Sequence, residues 1–341
     1  MTASARHSTP SAPVTSVTPL IALKDLVRED LDLVNALILE TGGSRVQLIL
    51  DMAQHIIASG GKRLRPLLTL ACARLCGYEE KKHIALAAAV EFMHTATLLH
   101  DDVVDGSMLR RGALTANNVW GNQASVLVGD FLLGQAFQLM VRSESLRVLD
   151  ILSHAAAVIA EGEVKQLVAS HSIDVDTETY IDIVTSKTAT LFSAACEISP
   201  VLAGRPLAEQ TALAEFGLNL GIAFQIADDA LDYSARQEEL GKGVGDDFRE
   251  GKVTLPVILA YAKAGKEEKA FWERVILADS RDDEELKTAI AYIRESGALE
   301  ATMEAARDYA ENGRKALEMF PDSEVKTILL SSIGFAVDRP Y

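Results

Sequence analysis

Two stretches decide the fold: Leu98-Leu99-His100-Asp101-Asp102-Val103-Val104-Asp105, and Phe224-Gln225-Ile226-Ala227-Asp228-Asp229-Ala230-Leu231-Asp232. Each closes a run too apolar for a surface helix, the first beginning at Ile84 and the second at Leu213, so both are expected to be central helices ending in carboxylates. The i, i+4 spacing stacks Asp101 over Asp105, and Asp228 over Asp232, about 6 Å apart on one helix face. Such pairs repel, and the macrodipole disfavours negative charge at a helix C-terminus; each effect costs from a few tenths to about 1 kcal/mol. Something positive must compensate. An all-oxygen set suits a hard divalent cation, Mg²⁺ or Mn²⁺, that keeps water and takes phosphate as a further ligand. With 49 acids in 341 residues, one such pattern arises by chance about once in a chain of this size and reads as a solvated face. Two copies, both all-Asp and both closing an apolar helix, point instead to a metal site.

Outward from these segments, apolar residues recur at three- and four-residue intervals from about Leu20, as in Leu26, Leu31, Val34, Leu37 and Ile38. Period-two alternation is scarce, so the chain reads as all-α, a single helical domain over 21–341 behind a disordered, Ser/Thr/Pro-rich tail over 1–20. Breaks are expected at Thr41-Gly42-Gly43, Ser59-Gly60-Gly61, Gly77, Asp105-Gly106, Ala203-Gly204-Arg205-Pro206 and Gly241 to Gly251. A strand competes only over Tyr180 to Thr188. The spacing of Ile181, Val184, Leu191, Phe192 and Ala195 favours helix.

Composition narrows the function. Hydrophobic residues at 48% support a sizeable core, and a net charge of −16 argues against nucleic-acid binding. Cys72, Cys76 and Cys196 lack metal-site spacing and read as reduced, buried thiols of a cytoplasmic protein. No membrane-spanning segment is expected, because Glu91 and Asp130 interrupt the longest apolar runs. Against the acidic background the cations are grouped: Lys62-Arg63-Leu64-Arg65 behind two glycines, Arg110-Arg111 after the first cluster, Lys187 before Thr188, and Lys242 and Lys252 around the second glycine-rich stretch. Any one alone is an ordinary surface cation. Together with metal-binding carboxylates they suggest a ligand bearing two or more phosphates.

In combination these motifs resemble the all-trans polyprenyl diphosphate synthase family over nearly the whole chain from about residue 20. Its DDxxD and RRG elements match Asp101, Asp102, Asp105, Arg110, Arg111 and Gly112, and its GxxFQxxDDxxD element matches Gly221, Phe224, Gln225, Asp228, Asp229 and Asp232. GKRxRP is Gly61 to Pro66, GExxQ is Gly162, Glu163 and Gln166, KT is Lys187-Thr188, and GKxxGxD is Gly241, Lys242, Gly245 and Asp247.

The resemblance implies an isoprenoid-synthase bundle around a deep apolar cavity, working as a homodimer. It implies three Mg²⁺, with Mn²⁺ as a substitute, ligated by Asp101 and Asp105 on one side and Asp228 on the other, with Asp102, Asp229, Asp232 and Asp247 holding waters. An allylic diphosphate would be clamped by Arg110, Lys187, Lys242 and Lys252. Isopentenyl diphosphate would sit on Lys62, Arg65, His94 and Arg111, and Thr188, Phe224 and Gln225 would lie near the reacting carbons. His94 has a plain alternative as a satisfied core histidine. A tail growing from Asp101 between helices would pass Ala96 and Thr97, then Met93 and Val90. Family members that stop at fifteen carbons carry an aromatic residue near the first two positions, and this chain has none. Phe131 and Phe137 are the bulky residues available as a floor. The expected product is therefore octaprenyl to decaprenyl diphosphate, of the kind that supplies a quinone side chain, with transient membrane contact at release, rather than farnesyl or geranylgeranyl diphosphate.

Other readings fit less of the sequence. A terpene cyclase resembles this pattern at the first motif but carries an Asn/Ser/Glu motif at the second. A di-metal bundle would repeat a Glu-x-x-His pair, and Glu91-Phe-Met-His94 has no second copy. An inactive synthase subunit would be expected to lack one Asp motif.

Overall fold

A computed structural model describes residues 18–41, 46–58, 61–110, 112–170, 172–234, 245–278 and 280–337. Residues 1–17 of the tail expected over 1–20, the Gly42-Gly43 and Ser59-Gly60 breaks, Arg111 and Lys242 lie outside the described residues. Helices follow in the order α1 (Pro19–Leu26), α2 (Arg28–Thr41), α3 (Gln47–Ala58), α4 (Leu64–Leu75) and α5 (Lys82–Val104). After a short hairpin come α6 (Ala116–Trp120), α7 (Asn122–Val141), α8 (Leu146–Ala169), α9 (Thr177–Val184), α10 (Thr190–Leu202) and α11 (Leu207–Asp232). The chain ends in α12 (Asp246–Glu250), α13 (Leu255–Lys263), α14 (Lys266–Leu277), α15 (Asp283–Glu295), α16 (Ala298–Ala316) and α17 (Glu324–Val337). Pro19 and Leu20 belong to α1, so the helical body begins two residues before the expected boundary.

The two apolar runs form α5 and α11, and each ends in its aspartates. Helix α7 lies along α5, α16 lies along α11, and α10 packs against α4, α5, α8 and α11, joining the two halves. The main core is built here, from residues such as Leu86, Val90, Phe92, Leu132, Leu152, Phe192, Phe216 and Leu220. A second, smaller core gathers Tyr233, Phe248, Val257, Trp272, Ile276, Leu286 and Ile293 between α11 and the C-terminal helices. By length and composition α7 is the one described helix long and apolar enough to cross a membrane, in spite of Asp130. Its packing along α5 buries Val128, Leu132, Ala136 and Leu139. All three cysteines are buried free thiols.

Two local features depart from the periodicity. The first is a hairpin of β1 (Leu109–Arg110) and β2 (Ala113–Leu114), with Arg110 opposite Ala113. Its two-residue loop needs Gly112, whose φ of +78° is open to few other residues. The second is a π-helical turn over Thr185–Ala189 between α9 and α10, at the place where helix and strand compete in sequence. The extra residue makes the helix locally wider, and three glycines let its neighbours close in. A Cβ on Gly162 of α8 would lie 2.8 Å from the Lys187 nitrogen, and one on Gly221 of α11 would lie 2.7 Å from Ala189 Cα. One on Gly217 would lie 2.4 Å from the Phe192 carbonyl oxygen. Gly221→Ala is therefore expected to cost about 1–3 kcal/mol, since backbone must move, and to lower activity because the shift lands on the turn carrying Lys187 and Thr188. Urea midpoints and turnover check both; an unchanged pair of values would mean that α10 and α11 part without cost.

Candidate active site

At the end of α5 the three aspartates divide. Asp102 faces away from the cleft, is buried, and accepts hydrogen bonds from Arg110 Nε at 2.9 Å and Nη2 at 2.7 Å. The hairpin thereby presents Arg110 beside the cluster. Asp101 and Asp105 share the other face and meet cations from distant parts of the chain. Lys187 lies 3.8 Å from Asp101 and donates to Glu163 at 2.7 Å and Gln166 at 2.6 Å. Lys252 donates to Asp105 at 2.9 Å and contacts Glu250 at 2.6 Å. The GExxQ and KT elements are thus parts of one cluster, which Gly162 closes.

At the end of α11, Asp228 is exposed. Asp229 is buried, with one oxygen accepting from Tyr180 Oη at 2.6 Å and the other from Gln225 Nε2 at 2.7 Å. Asp232 is also buried, and its oxygens accept from the backbone N–H groups of Asp246 at 3.3 Å and Asp247 at 3.1 Å. It therefore secures the start of α12 and brings Asp247 into the site. Lys187, Thr188, Gln225, Asp229, Asp247, Lys252 and Tyr180 line one cavity that opens to solvent, with about 690 Å³ of empty space inside and at its mouth. Because Lys187 and Lys252 also reach Asp101 and Asp105, both aspartate motifs open on the same cleft.

A third group surrounds Arg65. Its guanidinium lies 4.2 Å from the Phe192 ring, Phe192 packs on Phe224 at 5.8 Å, and Lys62 lies 5.7 Å from the Phe335 ring. Arg65 Nε is buried without a hydrogen-bond partner, and burial pushes the guanidinium down to about 10. A buried cation with an unused donor fits an anionic ligand. Arg63 turns the other way, onto Glu91 in the interior. Glu91 is therefore occupied by an arginine, against the di-metal reading of Glu91 and His94. His94 is half-buried on the same α5 face as Asp101.

Residues expected along the tail path are less unified. Ala96 is buried and Thr97 half-buried, its hydroxyl donating to the His94 carbonyl at 2.8 Å. Phe131 and Phe137 are half-buried on α7, but six residues of helix set them about 120° apart. They therefore stand on different faces of α7.

The donor set fits divalent cations bridging to phosphate. Asp102, Asp229 and Asp232 are buried and take their donors from Arg110, Tyr180, Gln225 and backbone N–H groups, whereas Asp101 and Asp105 meet the cleft lysines Lys187 and Lys252 and Asp228 is exposed. Among the described residues no three acidic, His or Cys side chains converge as a ready-made cage, as expected where substrate oxygens complete the shell. Burial pushes Asp101 and Asp229 up to about 7 and Asp232 up to about 6, and loss of solvation pushes Asp247 well up. In the unfolded chain these groups titrate near 3.9, so between about pH 4 and 7 the metal-free folded state binds more protons. Stability present below that window is lost as pH rises through it. The metal-free unfolding midpoint is expected to fall by at least about 3 °C from pH 5 to pH 8, and Asp101→Asn to flatten part of the slope. A flat or rising midpoint in the unmodified protein would contradict this.

Sequence reasoning missed the part played by Tyr180, which stood only at the start of the stretch where strand and helix compete, and the Glu91 partner of Arg63. Both interactions join segments far apart in sequence, 49 residues for Tyr180 and Asp229 and 28 for Arg63 and Glu91. No spacing rule reaches them.

An all-α bundle in which two aspartate-ended helices open on one cation-lined cleft is the isoprenoid synthase class of fold and site. The polyprenyl synthetase family model matches residues 46–293, and the chain belongs to that family. It is 44% identical over 317 residues to octaprenyl diphosphate synthase of Escherichia coli (strain K12), covering 93% of this chain and 98% of that one. The crystal structure of a polyprenyl synthase from Caulobacter crescentus CB15, complexed with calcium and isoprenyl diphosphate, superposes with a TM-score of 0.91 at 50% identity, covering 96% of this chain and 99% of the other. That of a decaprenyl diphosphate synthase from Rhodobacter capsulatus gives 0.90 at 48%, covering 94% and 99%.

Proposed function

We propose that the protein is a metal-dependent trans-prenyl diphosphate synthase that adds isopentenyl diphosphate head-to-tail to an allylic diphosphate, making octaprenyl to decaprenyl diphosphate for a quinone side chain. The observation that carries it is the meeting of both aspartate motifs with Lys187 and Lys252 at a single cavity. The product range is supported by the similarity to octaprenyl and decaprenyl synthases and by the lack of an aromatic residue at Ala96 and Thr97.

Arg110, Lys187 and Lys252, joined by Lys242, hold the allylic diphosphate. Lys62 and Arg65, with His94 and Arg111, hold isopentenyl diphosphate. Asp101 and Asp105 on one side and Asp228 on the other would hold three Mg²⁺, which supply positive charge to the departing diphosphate. The allylic C–O bond breaks heterolytically, and the isopentenyl double bond attacks the allylic carbon. A proton then leaves to the departing diphosphate. Thr188 and Gln225 offer oxygen dipoles where positive charge develops, and Lys187 and Lys252 remain paired with the leaving group. Phe192 and Phe224 keep this region apolar, which protects the cation from water.

The test is to incubate the pure protein with isopentenyl diphosphate, Mg²⁺ and, separately, dimethylallyl, geranyl, farnesyl and geranylgeranyl diphosphates, and to size the product alcohols. A ladder ending at octaprenyl to decaprenyl is expected. No condensation with any primer would overturn the reading, and a stop at farnesyl or geranylgeranyl would overturn the length. The homodimer would cover the exposed Leu127 and Val141 of α7 and Leu146, Val164, Leu167 and Val168 of α8; light scattering at the monomer mass would contradict it.

A further inference from the structure

We propose that Tyr180 is a positioning residue of the prenyl-transfer site, its hydroxyl fixing Asp229 and, through Asp229, the direction in which the Gln225 amide points. The inference rests on the function proposed above. Tyr180 stands on α9, is 4% exposed, and forms part of the wall of the same open cavity. Its hydroxyl donates to Asp229 Oδ2 at 2.6 Å, Gln225 Nε2 donates to Asp229 Oδ1 at 2.7 Å, and Thr188 Oγ1 donates to Gln225 Oε1 at 3.0 Å.

The order of donors and acceptors in this chain is what assigns the role. A glutamine amide has a donor end and an acceptor end of nearly the same shape, so its direction is set by its partners. Thr188 cannot set it, because a hydroxyl both donates and accepts. Both Asp229 oxygens accept here, Oδ2 from Tyr180 and Oδ1 from Gln225. With both oxygens turned to donors, Asp229 draws the Gln225 NH₂ group, leaving the carbonyl oxygen toward Thr188 on the cavity side. That oxygen is the negative end of a dipole beside the carbon that gains positive charge when the allylic C–O bond ionises. A reversed amide would present N–H groups to the same carbon and oppose the reaction.

Asp229 can act in this way only while its carboxylate is held. One oxygen is engaged by Gln225 itself, so the second contact must come from elsewhere, and Tyr180 supplies it from a different helix. A buried phenol without a partner is costly, and packing alone would be served by phenylalanine. The hydroxyl is bound instead to a carboxylate, a charge-assisted contact stronger than a neutral one. The Tyr180 bond also occupies the oxygen with which Asp229 could otherwise reach a cation directly, separating its role from that of Asp228.

Tyr180→Phe keeps the ring and removes only the hydroxyl. In single turnovers with radiolabelled isopentenyl diphosphate it is expected to lower the condensation rate about tenfold, leaving the KM for isopentenyl diphosphate within twofold, while the metal-free unfolding midpoint falls modestly because a buried Asp229 oxygen loses its donor. In a Gln225→Leu background the same change is expected to alter the rate less than twofold, because the group through which Tyr180 acts is gone. A wild-type rate in Tyr180→Phe would overturn the proposal. So would a full tenfold loss persisting beside Gln225→Leu, or a loss carried mainly by a raised KM for isopentenyl diphosphate, either of which would mark a merely structural role. Failure of the unmodified protein to condense any primer would instead remove the function on which the proposal stands.

Discussion

Asp101→Ala is expected to cut turnover at least about a hundredfold, and Asp228→Ala to do the same from the other side of the cleft. A hundredfold loss is about 2.7 kcal/mol of transition-state stabilisation, the scale expected when a ligand of a charge-stabilising cation is removed from a preorganised site. The structure adds a second readout. Asp101 is an uncomfortable residue in the metal-free protein: burial pushes its carboxyl up to about 7, and Glu163 and Asp105 repel it. Removing it should leave the metal-free unfolding midpoint unchanged or higher. Lost turnover with undiminished stability would locate the effect in the chemistry. Full activity in Mg²⁺ for either variant would refute the metal assignment.

The other large effect concerns product length. Ala96 lies one helical turn before His100, and the His100 ring presses on α7 so closely that a Cβ on Gly129 would lie 2.3 Å from its Nε2. Ala96, four residues earlier, lies on the same side of α5 and is buried. Ala96→Phe is expected to block a tail descending from Asp101 and to shorten products to about farnesyl or geranylgeranyl, with the first condensation preserved. The plain alternative is that Ala96 serves only helix contact. Its signature would be a lower unfolding midpoint with the product ladder unchanged, which would put the tail elsewhere.

The helical character, the breaks at Gly77, Gly106 and Gly204, and both aspartate motifs were legible because they are local: periodicity and i, i+4 spacing describe contacts within one or two turns. The split of roles within each motif was not. Asp102 and Asp101 are adjacent in sequence, but a 100° turn of the helix hands one to Arg110 and the other to the cleft. The hairpin at Arg110 is too short for a periodic signal, and the π turn at Lys187 differs from α-helix by a single residue. Lys252 and Asp105 meet across 147 residues. Recognition of the family's motifs supplied that neighbourhood in advance, though not the reasons for it. Gly162 and Gly221 acquire a physical reason only when the wide turn they admit is seen. For Phe131 and Phe137 sequence supplied bulk but not direction.

The pairing of Lys252 with Asp105, and of Lys187 with Glu163 and Gln166 near Asp101, makes the cleft its own counter-ion. A diphosphate arriving alone would take Lys252 and leave Asp105 bare; a cation arriving alone would have to displace Lys252 from Asp105. Arriving together, each relieves the imbalance the other creates. On the proposed function, affinity for either would be conditional on the other by the same factor in both directions, and departure would be conditional too. The cleft would then act as a coincidence detector for two kinds of charge, retaining a diphosphate only while its metal escort remains.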